Sequence, residues 1–265
     1  MIISDEDGVG MILAIDIGNT NIVIGCCKGE EIQFCERIST NHKATTIEYA
    51  SLFKTALEMH NIAYTDVSGA VISSVVPSIT STVKTAVYKL TGIEALVVGP
   101  GIRTGLSIVI DDPGKLGSDL VVGAVAGINR YSVPQIIIDM GTATTLSVID
   151  KDKRFLGGII VPGLAITHDA LVNSTSQLPS IALEAPDKVI GTNTVKCIKS
   201  GLVYGTAGSL DGLIERIEDE LGEKCTVVAT GGLANVVVPL CKSDIVIDDD
   251  LMIRGLMIIY NKNCI

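Results

Sequence analysis

Two short stretches of the sequence carry residue types suited to holding an anion. Asp16-Ile-Gly-Asn-Thr-Asn-Ile and Asp139-Met-Gly-Thr-Ala-Thr-Thr lie 123 residues apart and share one grammar. Each is an apolar β-branched run, an Asp-x-Gly corner with hydroxyl or amide side chains, and a second extended run. Gly18 and Gly141 let backbone N–H groups approach an anion, and Asn19, Thr20, Asn21, Thr142, Thr144 and Thr145 add neutral donors. A third stretch, Gly117-Ser-Asp119, sets a carboxylate at the expected start of a helix over 120–127. There it either takes the proton of an attacking hydroxyl during phosphoryl transfer or only complements the helix dipole. In a fourth, Thr230-Gly-Gly232 follows a strand-like run and opens a helix, either baring backbone to a nucleotide or making a tight turn. No G-x-G-x-x-G follows the first strand and no G-x-x-x-x-G-K-[ST] occurs, so dinucleotide-fold and P-loop chemistry lose their main support.

The elements that must position these residues are legible from periodicity. Met11 to Cys27 reads as a β-hairpin around the Asp16 corner, and Glu31 to Ile38 as a third strand. Ala44 to His60 places Ile47, Ala50, Phe53, Ala56, Leu57 and His60 on one helix face. Ala70 to Val76 and Ala95 to Val98 read as strands around a helix from Pro77 to Leu90. Gln135 to Asp150 repeats the hairpin, followed by a strand from Arg154 to Val161. A long helix (Thr194 to Leu221), strands at Cys225 to Ala229 and Asp244 to Ile247, and a final helix ending near Tyr260 complete the pattern. Sheet and helix alternate, which predicts an α/β protein of two duplicated lobes. The expected lobes are 11–130 and 131–265, each a mixed sheet with helices, packed around a shared cleft near residue 130. Residues 1–10 read as a disordered extension.

Composition narrows the function classes. The 265 residues carry 20 Lys plus Arg against 30 Asp plus Glu, a formal charge of -10, and no basic stripe, which argues against a nucleic-acid partner. Hydrophobic residues make up 47% and charged residues 19%, enough apolar material for a large core. Apolar runs such as Met11 to Ile17 fall short of the roughly 20 residues that span a bilayer. Asp5, Glu6 and Asp7 stand where a secretory signal has a basic region. Seven cysteines without a C-x-x-C pair read as small buried hydrophobes in a reduced cytoplasm, and His168 reads as a helix-surface residue.

The two Asp-x-Gly hairpins with the late strand-Gly-Gly-helix resemble the actin-like, sugar-kinase and heat-shock ATPase superfamily, whose lobes are ribonuclease H-like. Asp16-Ile-Gly-Asn-Thr-Asn, Gly99-Pro-Gly-Ile-Arg-Thr-Gly105, Gly117-Ser-Asp119, Asp139-Met-Gly-Thr-Ala-Thr-Thr145, Gly157-Gly-Ile-Ile-Val-Pro-Gly163, Asn193-Thr194 and Thr230-Gly-Gly232 together resemble type III pantothenate kinase, from Met11 almost to the last residue. The resemblance implies phosphorylation of pantothenate to 4'-phosphopantothenate by ATP with Mg2+, the first step of coenzyme A biosynthesis. It makes Asp119 the general base, Asp16, Ile17, Gly18, Asn19, Thr20, Asn21, Ile22 and Val23 the ATP phosphate loop, and Thr142 a further ATP contact. It makes Asp139 the ligand of a monovalent cation, K+ or NH4+, and Ile110, Gly117, Ser118, Asp119, Leu120 and Thr194 the substrate positions.

Leu120 and Ile110 depart from the family, which has Arg right after the base and Tyr nine residues before it. A missing guanidinium and a missing phenol each remove about 1–3 kcal/mol of binding unless another group such as Arg103 or Lys115 compensates. The departures leave two alternatives open, a nucleotide-binding regulator without kinase activity and a kinase for another small alcohol. Gly201, Gly205, Gly208 and Gly212 fall on one face of the long helix, which predicts a close helix contact inside the lobe or across a two-fold axis. The resemblance favours the homodimer, with Thr194 reaching the neighbouring subunit's pantothenate site.

Overall fold

The computed structural model describes residues 10–264. In chain order the elements are β1 (Met11–Ile17), β2 (Asn21–Lys28), β3 (Glu31–Ser39), α1 (Thr46–Met59), β4 (Val67–Ser74), α2 (Pro77–Thr91), β5 (Leu96–Val97), β6 (Ser107–Ile108) and α3 (Ser118–Arg130). There follow β7 (Gln135–Met140), β8 (Ala143–Ile149), β9 (Arg154–Pro162), α4 (Leu164–Asn173), α5 (Thr194–Leu221), β10 (Thr226–Thr230), α6 (Ala234–Val237), β11 (Ile245–Ile247) and α7 (Leu251–Cys264). The extension expected over residues 1–10 lies, apart from Gly10, outside the described residues.

The chain forms two units. The first holds the residues up to Gly105, Gly114–Ala126 and the chain from Met252 on, and its sheet runs β3-β2-β1-β4-β5. β1 pairs antiparallel with β2 and parallel with β4, so both its edges are taken, and its successive residues are buried on both faces of the sheet. Leu13, Ile15 and Ile17 turn to one face and meet Phe53 and Leu57 of α1 and Val83 and Val87 of α2. The other face receives α7: a Cβ on Gly25 or Gly69 would fall 2.7 Å from Ile253 or 2.0 Å from the Tyr260 hydroxyl. Glycine is the residue that lets this helix approach the strands. α1 begins in a capping box, with Thr45 N–H donating to Glu48 at 2.6 Å. Ile47, expected on its inner face, is instead 67% exposed, and Tyr49 fills the core position in the first turns of the helix.

The second unit holds Leu106–Pro113 and Gly127–Leu251, with a sheet in the order β11-β10-β7-β8-β9-β6. β7 pairs antiparallel with β8 and parallel with β10. Without the short β6 edge strand, this order repeats that of the first sheet. In each, the aspartate-bearing strand lies between its antiparallel hairpin partner and a parallel strand that comes later in the chain. The core joins Ile136 and Ile138 of β7 and Leu146 of β8 to Leu202, Leu210 and Ile214 of α5. Asn193 caps α5, accepting Lys196 N–H at 2.9 Å, and Gly222 closes it in the left-handed region at φ 72°. The cysteines correct the sequence reading: only Cys26 and Cys27 are buried, whereas Cys35, Cys197 and Cys264 are exposed, on strand and helix faces that no core covers. All seven are free thiols.

Candidate active site

At the end of β1 the chain turns through Gly18, Asn19 and Thr20. Gly18 N–H donates to Asn21 O at 2.9 Å, and Thr40 pins the turn from outside by donating its hydroxyl to Gly18 O at 2.7 Å and its N–H to Thr20 O at 2.9 Å. The side chains of Asn19 and Thr20 are exposed, while those of Ile17 and Ile22 are fully buried, so these isoleucines offer a ligand only their backbone. Asp16 sits in one row of the sheet with Val23 on β2 and Ser73 on β4. Burial pushes its carboxyl up to about 7, a hydrogen bond from Ser73 opposes that, and the charge of Asp119 adds to it.

Asp119 lies in the first turn of α3 and accepts Leu120 N–H at 2.8 Å. Burial holds its carboxyl above the usual carboxylate range, opposed by the backbone N–H groups of Leu120 and of Asp119 itself. A Cβ at residue 117 would fall 2.4 Å from Asp119 Oδ1, so only glycine permits this side-chain position. Ser118 turns its hydroxyl inward to β4: it accepts Ser74 N–H at 3.0 Å, donates to Ser74 O at 2.9 Å and lies 3.0 Å from Ser73 Oγ. Its side chain is thus occupied within the protein. Ser73 and Ser74 escaped sequence reading. The available signal was a hydroxyl pair ending an apolar strand, the place that Thr230 holds on β10.

In the second unit Asp139 shares a row with Thr145 on β8 and Thr230 on β10. Thr145 Oγ1 is enclosed and has no hydrogen-bond partner. Two glycines from the sequence motifs press on this hairpin. A Cβ at Gly163 would lie 2.3 Å from Thr142 O, and one at Gly231, whose φ is +98°, would lie 2.7 Å from the N, C and O atoms of Met140. Thr142 is half-buried beside this turn, and Thr194 is exposed at the first residue of α5. Ile110 belongs to the second unit and Gly117–Leu120 to the first. His168 is not on the surface: it is 6% exposed, and its Nε2 accepts Ile181 N–H at 3.1 Å from the segment after α4.

A family model described as type III pantothenate kinase matches residues 12–216. A type III pantothenate kinase of Brevibacillus brevis is 41% identical over 253 residues, covering 96% of this chain and 99% of the relative. The chain belongs to the type III pantothenate kinase family. Two solved structures show the fold this kinase shares more widely. A conserved putative Baf family transcriptional activator from Campylobacter jejuni superposes with a TM-score of 0.58 at 18% identity, over 94% of this chain and 97% of that one. MreB 5 of Spiroplasma citri bound to AMPPNP gives 0.54 at 11% identity, over 93% and 94%. The kinase therefore has the duplicated α/β fold of the actin-like ATPases and sugar kinases. Among its described residues no helix is long and apolar enough to cross a membrane, and none of the described His, Cys, Asp and Glu side chains form a metal-binding group of three.

Proposed function

We propose that this kinase phosphorylates pantothenate at the expense of ATP with Asp119 as general base. The observation that carries the assignment is the family match over residues 12–216 together with Gly117-Ser-Asp119 at the start of α3, where glycine makes room for a largely buried carboxyl whose charge reaches Asp16 at the end of β1. A raised carboxyl takes a proton more readily, which suits Asp119 to receiving the proton of an attacking hydroxyl. ATP with Mg2+ supplies the transferable phosphoryl group and part of the charge neutralisation. The Asp16–Val23 turn and Thr142 would hold the phosphates through backbone N–H groups and neutral side chains. Gly117, Ser118, Leu120, Ile110 and Thr194 would line the acceptor site, Ser118 through its backbone.

Asp139 fits a monovalent cation. Its row of the sheet offers oxygen donors alone, and the enclosed Thr145 Oγ1 lacks a partner that such an ion would provide. A homodimer is supported by α5. A Cβ added at Gly201, Gly205 or Gly208 would meet nothing within 4 Å among the described residues, so these glycines serve no close contact there. A second copy packed against this face would use the space they leave. Seven free thiols support a cytoplasmic location.

The test is a coupled assay of purified protein with ATP, Mg2+ and pantothenate, in potassium and in sodium buffer. Turnover is expected in both and faster in potassium. No turnover in either overturns the proposal. Leu120→Arg combined with Ile110→Tyr is expected to raise kcat/KM for pantothenate by about tenfold, the worth of one charge-assisted hydrogen bond. An unchanged value means that other side chains already hold the substrate carboxylate.

A further inference from the structure

A continuous chain of hydrogen bonds runs through the first unit from Asp16 to the backbone of Ser74. Ser73, fully buried, is bonded to the Asp16 carboxylate and stands 3.0 Å from Ser118 Oγ. Ser118 Oγ donates to Ser74 O at 2.9 Å and accepts Ser74 N–H at 3.0 Å. The links Asp16 to Ser73, Ser73 to Ser118 and Ser118 to Ser74 O need one proton each, and the two hydroxyls supply two. All three links are satisfied at once only with a proton on Asp16. When Asp16 is ionised, Ser73 donates to it, and the single Ser118 proton is left with two acceptors, Ser73 Oγ and Ser74 O.

The state of one carboxylate thus decides whether the Ser118 proton serves Ser74 O with every link made or is contested by two acceptors. Ser118 opens α3, and the next residue is Asp119. We propose that Ser73 is a positioning residue for phosphoryl transfer, which through Ser118 ties the Asp16 carboxylate to the first turn of α3 so that Asp16 and Asp119 respond as one unit. This rests on the reading of the two aspartates as active-site groups. Asp119 is the charged side chain whose field reaches Asp16, and Val23 on β2 and Ser73 on β4 are its neighbours in the sheet row. A purely structural serine would not show the consequences that follow. If it were only structural, its loss would change stability and shift Asp16 by its own lost bond, but Ser118→Ala would leave the titration of Asp16, and Ser73→Ala the turnover number, as they are.

Two measurements on the full chain separate the cases. In carboxyl-carbon NMR titrations, Ser73→Ala and Ser118→Ala should each move the Asp16 midpoint, Ser73→Ala upward by about half a pH unit or more because its donated bond is lost. In the steady-state assay, Ser73→Ala should lower kcat on the order of tenfold with pantothenate KM within about twofold. The double variant should be little worse than either single one, since both cut the same chain. Circular dichroism and the melting temperature establish that each variant is folded. An Asp16 midpoint unmoved by Ser118→Ala, or kcat losses that multiply in the double variant, overturns the proposal. A wild-type protein inactive on pantothenate overturns the kinase assignment instead, and the NMR titration still decides whether the chain couples the residues.

Discussion

Asp119→Asn is expected to lower kcat by about 10²- to 10⁴-fold while leaving pantothenate KM and the circular dichroism spectrum close to wild type. The amide is nearly isosteric, and its oxygen can still accept the Leu120 N–H that Asp119 accepts at 2.8 Å, so the first turn of α3 keeps its cap. What it cannot do is take a proton. The pH profile follows in sign. Burial raises the Asp119 carboxyl, and the active form is the ionised one, so wild-type turnover falls as pH drops through that raised value. The acid limb should therefore lie above the ordinary carboxylate range, and the part due to Asp119 should vanish in the variant. A variant within about tenfold of wild type at neutral pH shows that the base is elsewhere.

Gly231→Ala should be among the most damaging single-methyl changes in the chain. Its Cβ would lie 2.7 Å from three backbone atoms of Met140, and its φ of +98° is one that L side chains rarely adopt. Overpacking against rigid backbone and the strained conformation together are worth about 2–5 kcal/mol. The displaced atoms belong to the residue after Asp139, so the row proposed to hold the cation deforms along with the fold. A urea titration should show a lower unfolding midpoint, and residual activity should lose the proposed acceleration by potassium. An unchanged midpoint would mean that β7 and the turn after β10 are not in the contact described.

Local grammar made much of this protein readable. Both Asp-x-Gly hairpins, the bounds of α5 and the strand-Gly-Gly-helix were visible because periodicity, β-branching and turn residues act over a few positions. The Ser73–Ser118 chain was not, because it joins residues 45 positions apart through a strand end and a helix start. Its members are ordinary serines, and only the parallel pairing of β1 with β4 gives them a role. β6, two residues on a sheet edge, has no periodicity to read. His168 was misjudged since its cover comes from an irregular segment that folds back over α4. Ile110, Leu120 and Thr194 were chosen by resemblance alone, for nothing in their side-chain types points to a substrate.

The return of α7 to the first sheet sets an order for assembly. The second unit has all its residues once Leu251 has been made, whereas the first still lacks the segment from Met252 on. Ile253 and Tyr260 must fill the spaces above Gly25 and Gly69 before that sheet is covered. Domains commonly form as units from the amino terminus during synthesis. Here the hairpin that leaves the ribosome early keeps its Gly25 and Gly69 face uncovered until the last helix has been made.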